Sequence, residues 1–496
     1  MATVIPAQDI GAQQPVGTAR YPRPRLYIDG EWYEGTRGTT TPIINPATEE
    51  TLCELKHASI ADLDRALAAA QRGFEQWRHV PAIERSKILR RAADMMRERH
   101  EHIARDITLE QGKPLCESRP EALAAADMFD WYAEEARRAY GRIVPGRSEE
   151  VRQMVLLEPL GPIAVFTPWN VPSMAPSRKI AAILAAGCSA IVKACEETPA
   201  GCMALVRACE DAGLPRGVLN LVFGVPDEVS TYLIRSPIVR KFSFTGSVAV
   251  GRKLAHLAAD GPKRCSIELG GHAPLIVFDD ADIEVSASLS ARAKFQNAGQ
   301  ICIAPSRFYV HEHIYDNFLK CFSEQAARIK VGNGLEKGVT MGPMANARRI
   351  SMMEALVADA LSRGARLKTG GRRLGKKGFF WPPTILTDVP DDARIMIEEP
   401  FGPIAPIVRF THFDDVMRRA NSLDYGLAAY AFTRSAKTID AVSRSIESGL
   451  LGINSLALAT PETPFGGIKE SGYGFKGGEE GLREYLSVKF VSQAGV

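Results

Sequence analysis

The chain has 496 residues, more than one ordinary hydrophobic core accommodates, so two or more large domains are expected. Hydrophobic residues make up 45% and charged residues 24%, which is the composition of an ordinary globular protein. The net charge is +3 and no long basic run occurs, so neither nucleic acid nor an anionic membrane is a predicted partner.

The N-terminus and the cysteines indicate the compartment. Residues 1–24 carry Gly, Gln and Pro and are predicted to be a flexible arm, without the basic and apolar regions of a secretory signal. No apolar stretch is long enough to span a bilayer. Nine scattered cysteines without a Cys-x-x-Cys motif favour free thiols in a reducing cytoplasm.

The nine histidines show no ligand pattern. His100 and His102 fall on different faces of a predicted helix. His311 and His313 could share a strand face, but no carboxylate or thiol partner is evident in the sequence. We therefore predict no metal site.

The N-terminal region is predicted to be a hairpin followed by helices. Leu26–Trp32 has a turn at Asp29-Gly30, and Ser59–Asp62 resembles a capping box. A first helix then carries an apolar stripe, formed by Leu63, Leu67, Ala70, Phe74 and Trp77. We predict a second helix over Ile83–Ile103 and a third helical region over Thr108–Tyr140, weakened at residues 112–114.

From residue 162, short buried-type strands alternate with helices. The predicted strands are 163–166, 190–193, 219–222, 241–244, 266–268 and 275–277, and the predicted helices are 174–186, 199–212, 227–235 and 248–259. This alternation predicts a parallel sheet with helices on both faces. Ligands of such sheets bind beyond the carboxyl ends of the strands, where Lys193, Phe244 and Glu268 fall.

A second alternating region begins after residue 282. Its predicted strands lie near 307–311, 382–387 and 404–409, and its helices near 312–329, 346–363 and 413–421. Strands near 154–157 and 488–491 stand outside both alternations. Two such detached strands suggest pairing between subunits.

Three separate segments carry groups suited to covalent catalysis on a carbonyl. Cys302 lies in a polar, glycine-containing bend between an apolar helix and a strand. Glu268 ends a strand before a glycine turn, and Asn170 offers an amide at another strand end. Together they suggest a nucleophile, a base and an oxyanion donor. From the residues alone, a structural role for Asn170 and Glu268 stays open.

Six motifs occur in an order that makes the chain resemble the aldehyde dehydrogenase superfamily from about residue 26 to 493. They are Pro168-Trp169-Asn170, Phe244-Thr245-Gly246-Ser247, Glu268-Leu269-Gly270-Gly271, Gly299-Gln300-Ile301-Cys302, Glu399-Pro400-Phe401-Gly402-Pro403 and Pro464-Phe465-Gly466-Gly467. The resemblance implies an α/β fold with a variant Rossmann cofactor domain, an α/β catalytic domain and a small β oligomerisation element. We expect the NAD-binding domain at 25–140 and 160–267, the catalytic domain at 268–480 and the oligomerisation strands at 141–159 and 481–496, in a homodimer or homotetramer.

The resemblance also implies a nicotinamide cofactor, although no Gly-x-Gly-x-x-Gly follows the first strand of that region. Gly246-Ser247 opens a helix that can receive a pyrophosphate, and a carboxylate at Glu196 opposes a 2′-phosphate, so NAD is favoured over NADP. The implied cofactor residues are Phe166, Thr167, Trp169, Lys193, Glu196, Phe244, Gly246, Ser247, Leu269, Glu399 and Phe401. Without the resemblance, Gly246-Ser247 reads as a plain helix cap, and Glu196 and Glu399 as exposed acidic residues.

In the implied mechanism, Cys302 attacks the aldehyde and Asn170 meets the resulting oxyanion. Glu268 then activates the water that hydrolyses the thioester. Relatives that transfer the acyl group to coenzyme A lack a glutamate there, so Glu268 argues for hydrolysis to the carboxylic acid. A non-catalytic member of the fold would more plausibly have lost one of these three residues.

The substrate residues resemble those of the succinate and 2-oxoglutarate semialdehyde branch. Arg178 matches an arginine that grips the distal carboxylate of the substrate, while a second arginine expected six residues before the cysteine is Gln296. Phe465 is the third expected substrate residue. A short acidic semialdehyde is therefore predicted, and a neutral hydroxylated or aromatic aldehyde is the alternative. Arg178 also fits a salt bridge on a helix flank.

Overall fold

The structure, a computed structural model, describes residues 20–495. Most of the predicted arm at 1–24 lies outside the described residues. Within residues 20–495, none of the helices combines the length and apolar character needed to cross a membrane.

The helices and strands follow one another along the chain as follows. The helices are α1 (Ile60–Trp77), α2 (Ala82–Glu98), α3 (His100–Gln111), α4 (Leu115–Glu135), α5 (Met174–Ala186), α6 (Pro199–Asp211), α7 (Pro226–Arg235), α8 (Val248–Ala259), α9 (Ile283–Phe295), α10 (Tyr315–Ala327), α11 (Ala347–Ser362), α12 (Arg394–Ile397), α13 (Phe413–Ala420), α14 (Ala436–Ser445) and α15 (Gly478–Arg483). The strands are β1 (Leu26–Ile28), β2 (Glu31–Tyr33), β3 (Thr40–Ile44), β4 (Thr51–Lys56), β5 (Arg142–Val144), β6 (Val151–Pro159), β7 (Pro162–Phe166), β8 (Ser189–Lys193), β9 (Leu219–Val222), β10 (Lys241–Thr245), β11 (Arg264–Glu268), β12 (Pro274–Val277), β13 (Arg307–His311), β14 (Arg366–Thr369), β15 (Thr384–Thr387), β16 (Ile404–Phe410), β17 (Tyr425–Gly426), β18 (Ala428–Phe432), β19 (Leu450–Ile453), β20 (Ile468–Lys469), β21 (Gly472–Tyr473) and β22 (Leu486–Ala494).

Helix ends follow local chemistry. At the start of α1, Asp62 N–H donates to Ser59 Oγ (3.2 Å) and Ser59 N–H donates to Asp62 Oδ2 (2.8 Å), which is the predicted capping box. Helix α3 stops at Gly112, whose φ of 97° is accessible to glycine. This break falls in the weak spot predicted at residues 112–114.

The predicted parallel sheet is confirmed. Eight strands run in the order β2-β1-β9-β8-β7-β10-β11-β21. Five neighbouring strands are parallel, in the order β9, β8, β7, β10 and β11. On one side of this set β1 pairs antiparallel with β9, and on the other side β21 pairs antiparallel with β11. The carboxyl ends of five strands therefore meet at one edge of the sheet.

The second alternating region forms its own sheet of seven strands, in the order β14-β15-β16-β13-β12-β18-β19. All its neighbours are parallel except β14, which pairs antiparallel with β15. The fold is therefore of the α/β class, as the sequence predicts.

The buried apolar residues form two clusters that divide the chain near residue 270. One cluster runs from Leu26 to Leu269 and takes in Leu482, Tyr485 and Leu486. The other runs from Ala273 to Phe465. The domain bounds given above stay a prediction, which this division between two cores supports.

One prediction of local structure needs correction. The helix expected over Ile83–Ile103 is two helices, because the chain leaves helical geometry at Arg99 (φ −100°, ψ 5°) between α2 and α3. The detached strands pair with each other, since β22 and β5 flank β6 antiparallel in a three-stranded sheet, and their pairing between subunits stays a prediction. Strands β3, β4, β14 and β17 to β21 were not predicted.

Candidate active site

The loop that carries Cys302 has an unusual backbone. After α9 ends, Asn297 (φ 49°), Ala298 (φ 51°) and Gly299 (φ 72°) all take the left-handed conformation. This conformation is costly for residues other than glycine and is held only where surrounding contacts fix it. The Asn297 backbone N–H donates to Glu117 Oε2 (2.8 Å), and a Cβ at residue 299 would lie 2.3 Å from the Gly402 carbonyl. The bend therefore lifts a half-buried Cys302 out of the packed core.

The structure brings the Cys302 thiol to the Glu268 carboxylate. Cys302 Sγ donates to Glu268 Oε1 at 3.2 Å. Glu268 is the last residue of β11, beside Thr245 at the end of β10 in the parallel register. The predicted nucleophile and base thus lie within hydrogen-bonding distance.

Asn170 is held by its backbone, and its amide points to the cysteine loop. Its carbonyl accepts from Lys113 Nζ (2.8 Å) and from Asn297 Nδ2 (3.0 Å). Its own Nδ2 donates to the Gln300 carbonyl (3.0 Å), two residues before Cys302. An amide nitrogen carries two hydrogens, so one N–H of Asn170 stays available to a bound oxyanion.

The charges at the site set the resting protonation states. Burial raises the pKa of the Cys302 thiol well above its ordinary 9.0, and the neighbouring Glu268 raises it further. Burial also raises the pKa of Glu268, but the charge of Lys476, its hydrogen bond and the charge of Lys179 together move that pKa below 4.5. At neutral pH the thiol is therefore protonated beside an ionised carboxylate.

Lys476 is a site residue that the sequence did not reveal. Its Nζ forms an ion pair with Glu268 Oε2 and donates to Thr245 Oγ1 (2.6 Å). Both charged side chains are buried, and 208 residues separate them along the chain. The glycine-flanked run Gly474-Phe475-Lys476-Gly477 gave no sign that its lysine would meet Glu268.

The predicted cofactor residues line the carboxyl edge of the eight-stranded sheet. Phe166 lies beside Lys193 and beside Phe244 in the strand register. Leu269 continues from β11, and its side chain fills the space against Gly251 of α8, where a Cβ would lie 2.3 Å away. Open α/β sheets bind ligands at this edge.

Lys193 and Glu196 form a buried ion pair at the end of β8. Lys193 Nζ donates to Glu196 Oε2 at 2.7 Å, and the Gly224 N–H donates to Glu196 Oε1 at 3.1 Å. Their predicted reading as ribose-binding groups fits this position at the sheet edge, whereas an exposed acidic loop does not.

Helix α8 begins at this edge and suits a phosphate group. Its N-cap Ser247 accepts from the Val250 N–H (3.5 Å), and the first turn leaves backbone N–H groups free. Gly246 lies under the Phe244 ring, which a Cβ would approach to 2.4 Å. Position 246 therefore has room only for glycine, and the free N–H groups at the start of α8 suit a dinucleotide pyrophosphate.

The loop after α12 brings Glu399 and Phe401 to the same region. The Gly271 N–H donates to Glu399 Oε1 (3.1 Å), and a Cβ at Gly270 would meet the Glu399 carboxylate. The Phe401 ring contacts Trp169 edge-on, with 5.5 Å between ring centres. Burial raises the pKa of Glu399 to about 7. Both residues of this predicted pair thus lie beside the Glu268 loop, and Thr167 and Trp169 lie just beyond β7.

Arg178 of α5 is a buried cation without a carboxylate partner. Its Nη2 donates to the Ala459 carbonyl (2.8 Å), and its guanidinium lies 4.6 Å from the centre of the Phe465 ring. Among residues 20–495 it forms no ion pair, so the salt bridge considered from the sequence is wrong. Burial lowers the pKa of Arg178, while the charges of nearby Glu268 and Cys302 raise it.

Gln296 differs from the other two predicted substrate residues. It is exposed at the end of α9, and its side chain forms no hydrogen bond with the described residues. Arg178 and Phe465 are brought together, and no hydrogen bond joins Gln296 to either of them among the described residues.

One histidine pair has the carboxylate neighbour that the sequence did not show. Asp279 offers an oxygen within 4.8 Å of ring nitrogens of His311 and His313. Two of the three residues are exposed, and exposed acidic groups of this kind are common without a bound ion. We build no metal proposal on this cluster.

The protein combines an α/β architecture with a site made of a thiol, a carboxylate and an amide. This combination defines a class of dinucleotide-dependent, cysteine-based oxidoreductases. The family profile of the "Aldehyde dehydrogenase family" matches residues 32–491. The chain belongs to this family.

Three similar proteins show what the chain resembles within it. The 4-(hydroxymethyl)benzenesulfonate dehydrogenase TsaD1 of Comamonas testosteroni is 48% identical, over 96% of this chain and 99% of that protein. The succinate-semialdehyde dehydrogenase [NADP(+)] GabD of Escherichia coli is 40% identical, over 95% and 97%. The crystal structure of succinate-semialdehyde dehydrogenase from Burkholderia pseudomallei superposes with a TM-score of 0.94 at 40% identity, over 95% and 98% of the two chains.

Proposed function

We propose that the protein oxidises an aldehyde carrying a distal anionic group to the corresponding carboxylic acid, with a nicotinamide dinucleotide as oxidant. The observation that carries this proposal is Arg178, a buried guanidinium with no carboxylate partner in the described chain. It lies against Phe465, whose backbone pairs with that of Lys476 beside Glu268. A buried charge is costly without a counter-charge, and a substrate anion supplies one.

The first half of the reaction forms a bond to sulfur. Glu268 Oε1, which accepts the thiol hydrogen bond, takes the thiol proton as Cys302 Sγ attacks the carbonyl carbon. The carbonyl π bond becomes an oxyanion, which the second Asn170 N–H and the Cys302 backbone N–H stabilise. When bound, the dinucleotide accepts the hydride of this adduct, which leaves a thioester on Cys302.

The second half releases the acid. Glu268 first releases the thiol proton to solvent, which restores its carboxylate. A water oxygen then attacks the thioester carbon while Glu268 takes its proton, and the C–S bond breaks so that the leaving thiolate recovers that proton from Glu268. Glu268 serves both halves because one carboxylate oxygen faces the thiol and the other faces Lys476. This residue supports hydrolysis over transfer to coenzyme A.

NAD is the favoured cofactor. The carboxylate of Glu196 stands at the edge of the sheet where the ribose is expected, and a 2′-phosphate there would meet its negative charge. The E. coli relative is named for NADP(+), and a solved aldehyde dehydrogenase of Sinorhizobium meliloti is named NAD-dependent, so the family contains both preferences.

Substitution Glu196→Ser is expected to narrow the preference for NAD over NADP by about tenfold or more, because it removes the opposing charge and frees Lys193 for a 2′-phosphate. The measurement is kcat/KM for each dinucleotide at saturating aldehyde. The control is Glu210→Ser. It removes a carboxylate that accepts hydrogen bonds from Trp32 and Arg207 and that is not among the predicted cofactor residues. An unchanged ratio in Glu196→Ser would show that Glu196 does not face the ribose.

A short semialdehyde of the succinate, glutarate or 2-oxoglutarate type is the first candidate substrate. Its carboxylate can bind the Arg178 guanidinium in a bidentate pair, over the face of Phe465. Only one half of a two-arginine clamp is present, since position 296 is glutamine.

A sulfonated aromatic aldehyde is the second candidate. The relative named for 4-(hydroxymethyl)benzenesulfonate is 48% identical over nearly the whole chain, compared with 40% for the E. coli semialdehyde enzyme. A sulfonate offers three oxygens to one guanidinium, and an aromatic ring can pack against Phe465. A neutral hydroxylated or aromatic aldehyde would leave the Arg178 charge without a partner.

Substitution Arg178→Ala is expected to raise KM at least about 100-fold for the anionic aldehyde that the enzyme prefers, and to change that of benzaldehyde less than about threefold, because only the anion loses a charged hydrogen-bond partner. Succinate semialdehyde, glutarate semialdehyde and 4-formylbenzenesulfonate are compared with both dinucleotides. Arg444→Ala, at an exposed arginine, is the control. Equal effects on charged and neutral aldehydes would remove the anion-binding role.

We further propose a cytoplasmic homodimer or homotetramer. All nine cysteines are free thiols, which suits a reducing compartment. In the β5-β6-β22 sheet, Val488 is 70% exposed and Phe490 59% exposed, and such apolar side chains on an outer strand favour contact with another copy.

A further inference from the structure

Lys476 occupies a position fixed by its own backbone. Its N–H donates to the Phe465 carbonyl (2.9 Å) and its carbonyl accepts from the Phe465 N–H (2.6 Å). Glycines with φ of 80° at 474 and 73° at 477 flank this short bridge. The side chain is therefore delivered into the pocket by a rigid segment, with little freedom left to lose when it binds a partner.

The lysine engages the carboxylate oxygen that the thiol does not use. Glu268 Oε1 accepts from Cys302 Sγ at 3.2 Å, while Oε2 is paired with Lys476 Nζ. Thr245 Oγ1 accepts from Lys476 (2.6 Å) and donates to Oε2 (3.4 Å). Two partners on the two oxygens fix both the plane of the carboxylate and its direction toward the sulfur.

We propose that Lys476 is a positioning residue that keeps the Glu268 carboxylate ionised and turned toward Cys302, and so sets the lowest pH at which the thioester is hydrolysed. The inference rests on the proposed function, in which Glu268 must be unprotonated to activate water. Lys476 touches neither the sulfur nor a reacting carbon, so it acts through Glu268.

Among the charged groups around Glu268, Lys476 acts most strongly in favour of ionisation, and the charge of Lys179 acts in the same direction more weakly. Helix α5 contributes Lys179 and Arg178, the loop after α9 contributes Cys302, and the loop after α12 contributes Glu399. Burial lowers the pKa of Lys179 well below 10.5, and its Nζ donates to Ser243 Oγ (2.7 Å). Arg178 is directed to the Ala459 carbonyl, and Glu399 acts against ionisation of Glu268.

With Lys476 replaced by methionine, burial is the dominant influence on the carboxyl group, and it raises the pKa of Glu268. The base is then lost as the pH falls through this higher pKa, whereas it is fully ionised at alkaline pH. A purely structural lysine would instead lower the rate by the same factor at every pH.

The test uses the full-length enzyme without dinucleotide and p-nitrophenyl acetate as the probe. The initial burst of nitrophenolate reports acylation of Cys302, and the steady-state rate reports hydrolysis of the resulting thioester. In Lys476→Met, hydrolysis at about pH 6 is expected to fall about tenfold or more relative to wild type, while at about pH 9 it stays within about threefold, because one unit of pKa is tenfold in the ionised fraction. Lys476→Arg keeps a cation and is expected to restore most of the activity at low pH.

Matched variants separate the possible outcomes. Lys87→Met breaks an exposed Lys–Glu pair on α2 and is expected to leave the profile unchanged. Glu268→Gln/Lys476→Met removes both buried charges, so it guards against misfolding of the single variant, and its slow hydrolysis is expected to be independent of pH. The inference would be overturned if the rate of hydrolysis by Lys476→Met declined at the same pH as in wild type. It would also be overturned if that rate fell by the same factor at all pH values. Hydrolysis that survives in Glu268→Gln, or a burst that survives in Cys302→Ala, would instead overturn the proposed function.

Discussion

Replacement of Cys302 by alanine is expected to reduce kcat for aldehyde oxidation by at least ~10⁴-fold, as removal of an attacking side chain does in other covalent enzymes. The reason is chemical: without the sulfur no thioester forms, and the remaining groups only bind and polarise the aldehyde. The measurement is formation of the reduced dinucleotide with the best aldehyde of the panel, at a dinucleotide concentration that saturates the wild type.

The controls for this prediction keep the fold and the binding site. Cys321→Ala changes another half-buried cysteine, on α10, and is expected to keep full activity. Binding of the dinucleotide to Cys302→Ala, followed by quenching of tryptophan fluorescence, is expected to be unchanged. Undiminished oxidation of aldehydes by Cys302→Ala would disprove the covalent mechanism altogether.

Replacement of Asn170 by alanine is expected to lower kcat by about 100- to 1000-fold, equivalent to ~3–4 kcal/mol of transition-state stabilisation, with a much smaller change in KM. The amide N–H that is not donated to Gln300 is the group that meets the oxyanion, and the oxyanion exists only after attack. Steady-state kinetics with one aldehyde give both constants.

The structure indicates that this substitution is local. The Asn170 carbonyl, which stays in the variant, is the acceptor for Lys113 and Asn297, and the Gln300 carbonyl keeps a donor in Asn297 Nδ2 at 3.3 Å. Asn170→Asp, of nearly the same shape but without the N–H donors, is the matched control and is expected to be as inactive. A kcat within about threefold of wild type in both variants would remove Asn170 from the mechanism.

Much of the fold was predictable because its signals are local. The alternation of buried strands and helices from residue 162 onward predicts β7 to β11 and α5 to α8 with bounds that differ by at most two residues, since burial on both faces selects continuous apolar strands. The strand ends could then be assigned to one sheet edge, which placed Lys193, Phe244 and Glu268 together in the described structure. Helix interruption at Arg99 was missed because both flanking segments have good helix formers and no Gly or Pro stands between them.

Three features of the site depend on contacts between distant segments. Lys476 meets Glu268 only because the segment after β21, which pairs with β11, brings its side chain to the ends of β10 and β11. The glycines around it are equally typical of a surface turn. Likewise, Asp279 follows β12 and the histidine pair lies at and just beyond the end of β13, so their proximity comes from the pairing of these strands. The unpaired charge of Arg178 is a property of its burial, which the sequence of α5 does not specify.

By itself the sequence determined the reaction class. It places a thiol on a glycine-containing bend, a carboxylate at a strand end and an amide at another strand end, in short motifs whose order resembles that of one family. The tertiary structure alone decided what surrounds those groups, namely the lysine behind Glu268, the unpartnered guanidinium facing the pocket and the pairing of β6 with β22. The physical reason is that each reactive group stands in a short motif of its own that the sequence displays directly, whereas charge balance and burial arise only when segments hundreds of residues apart pack together.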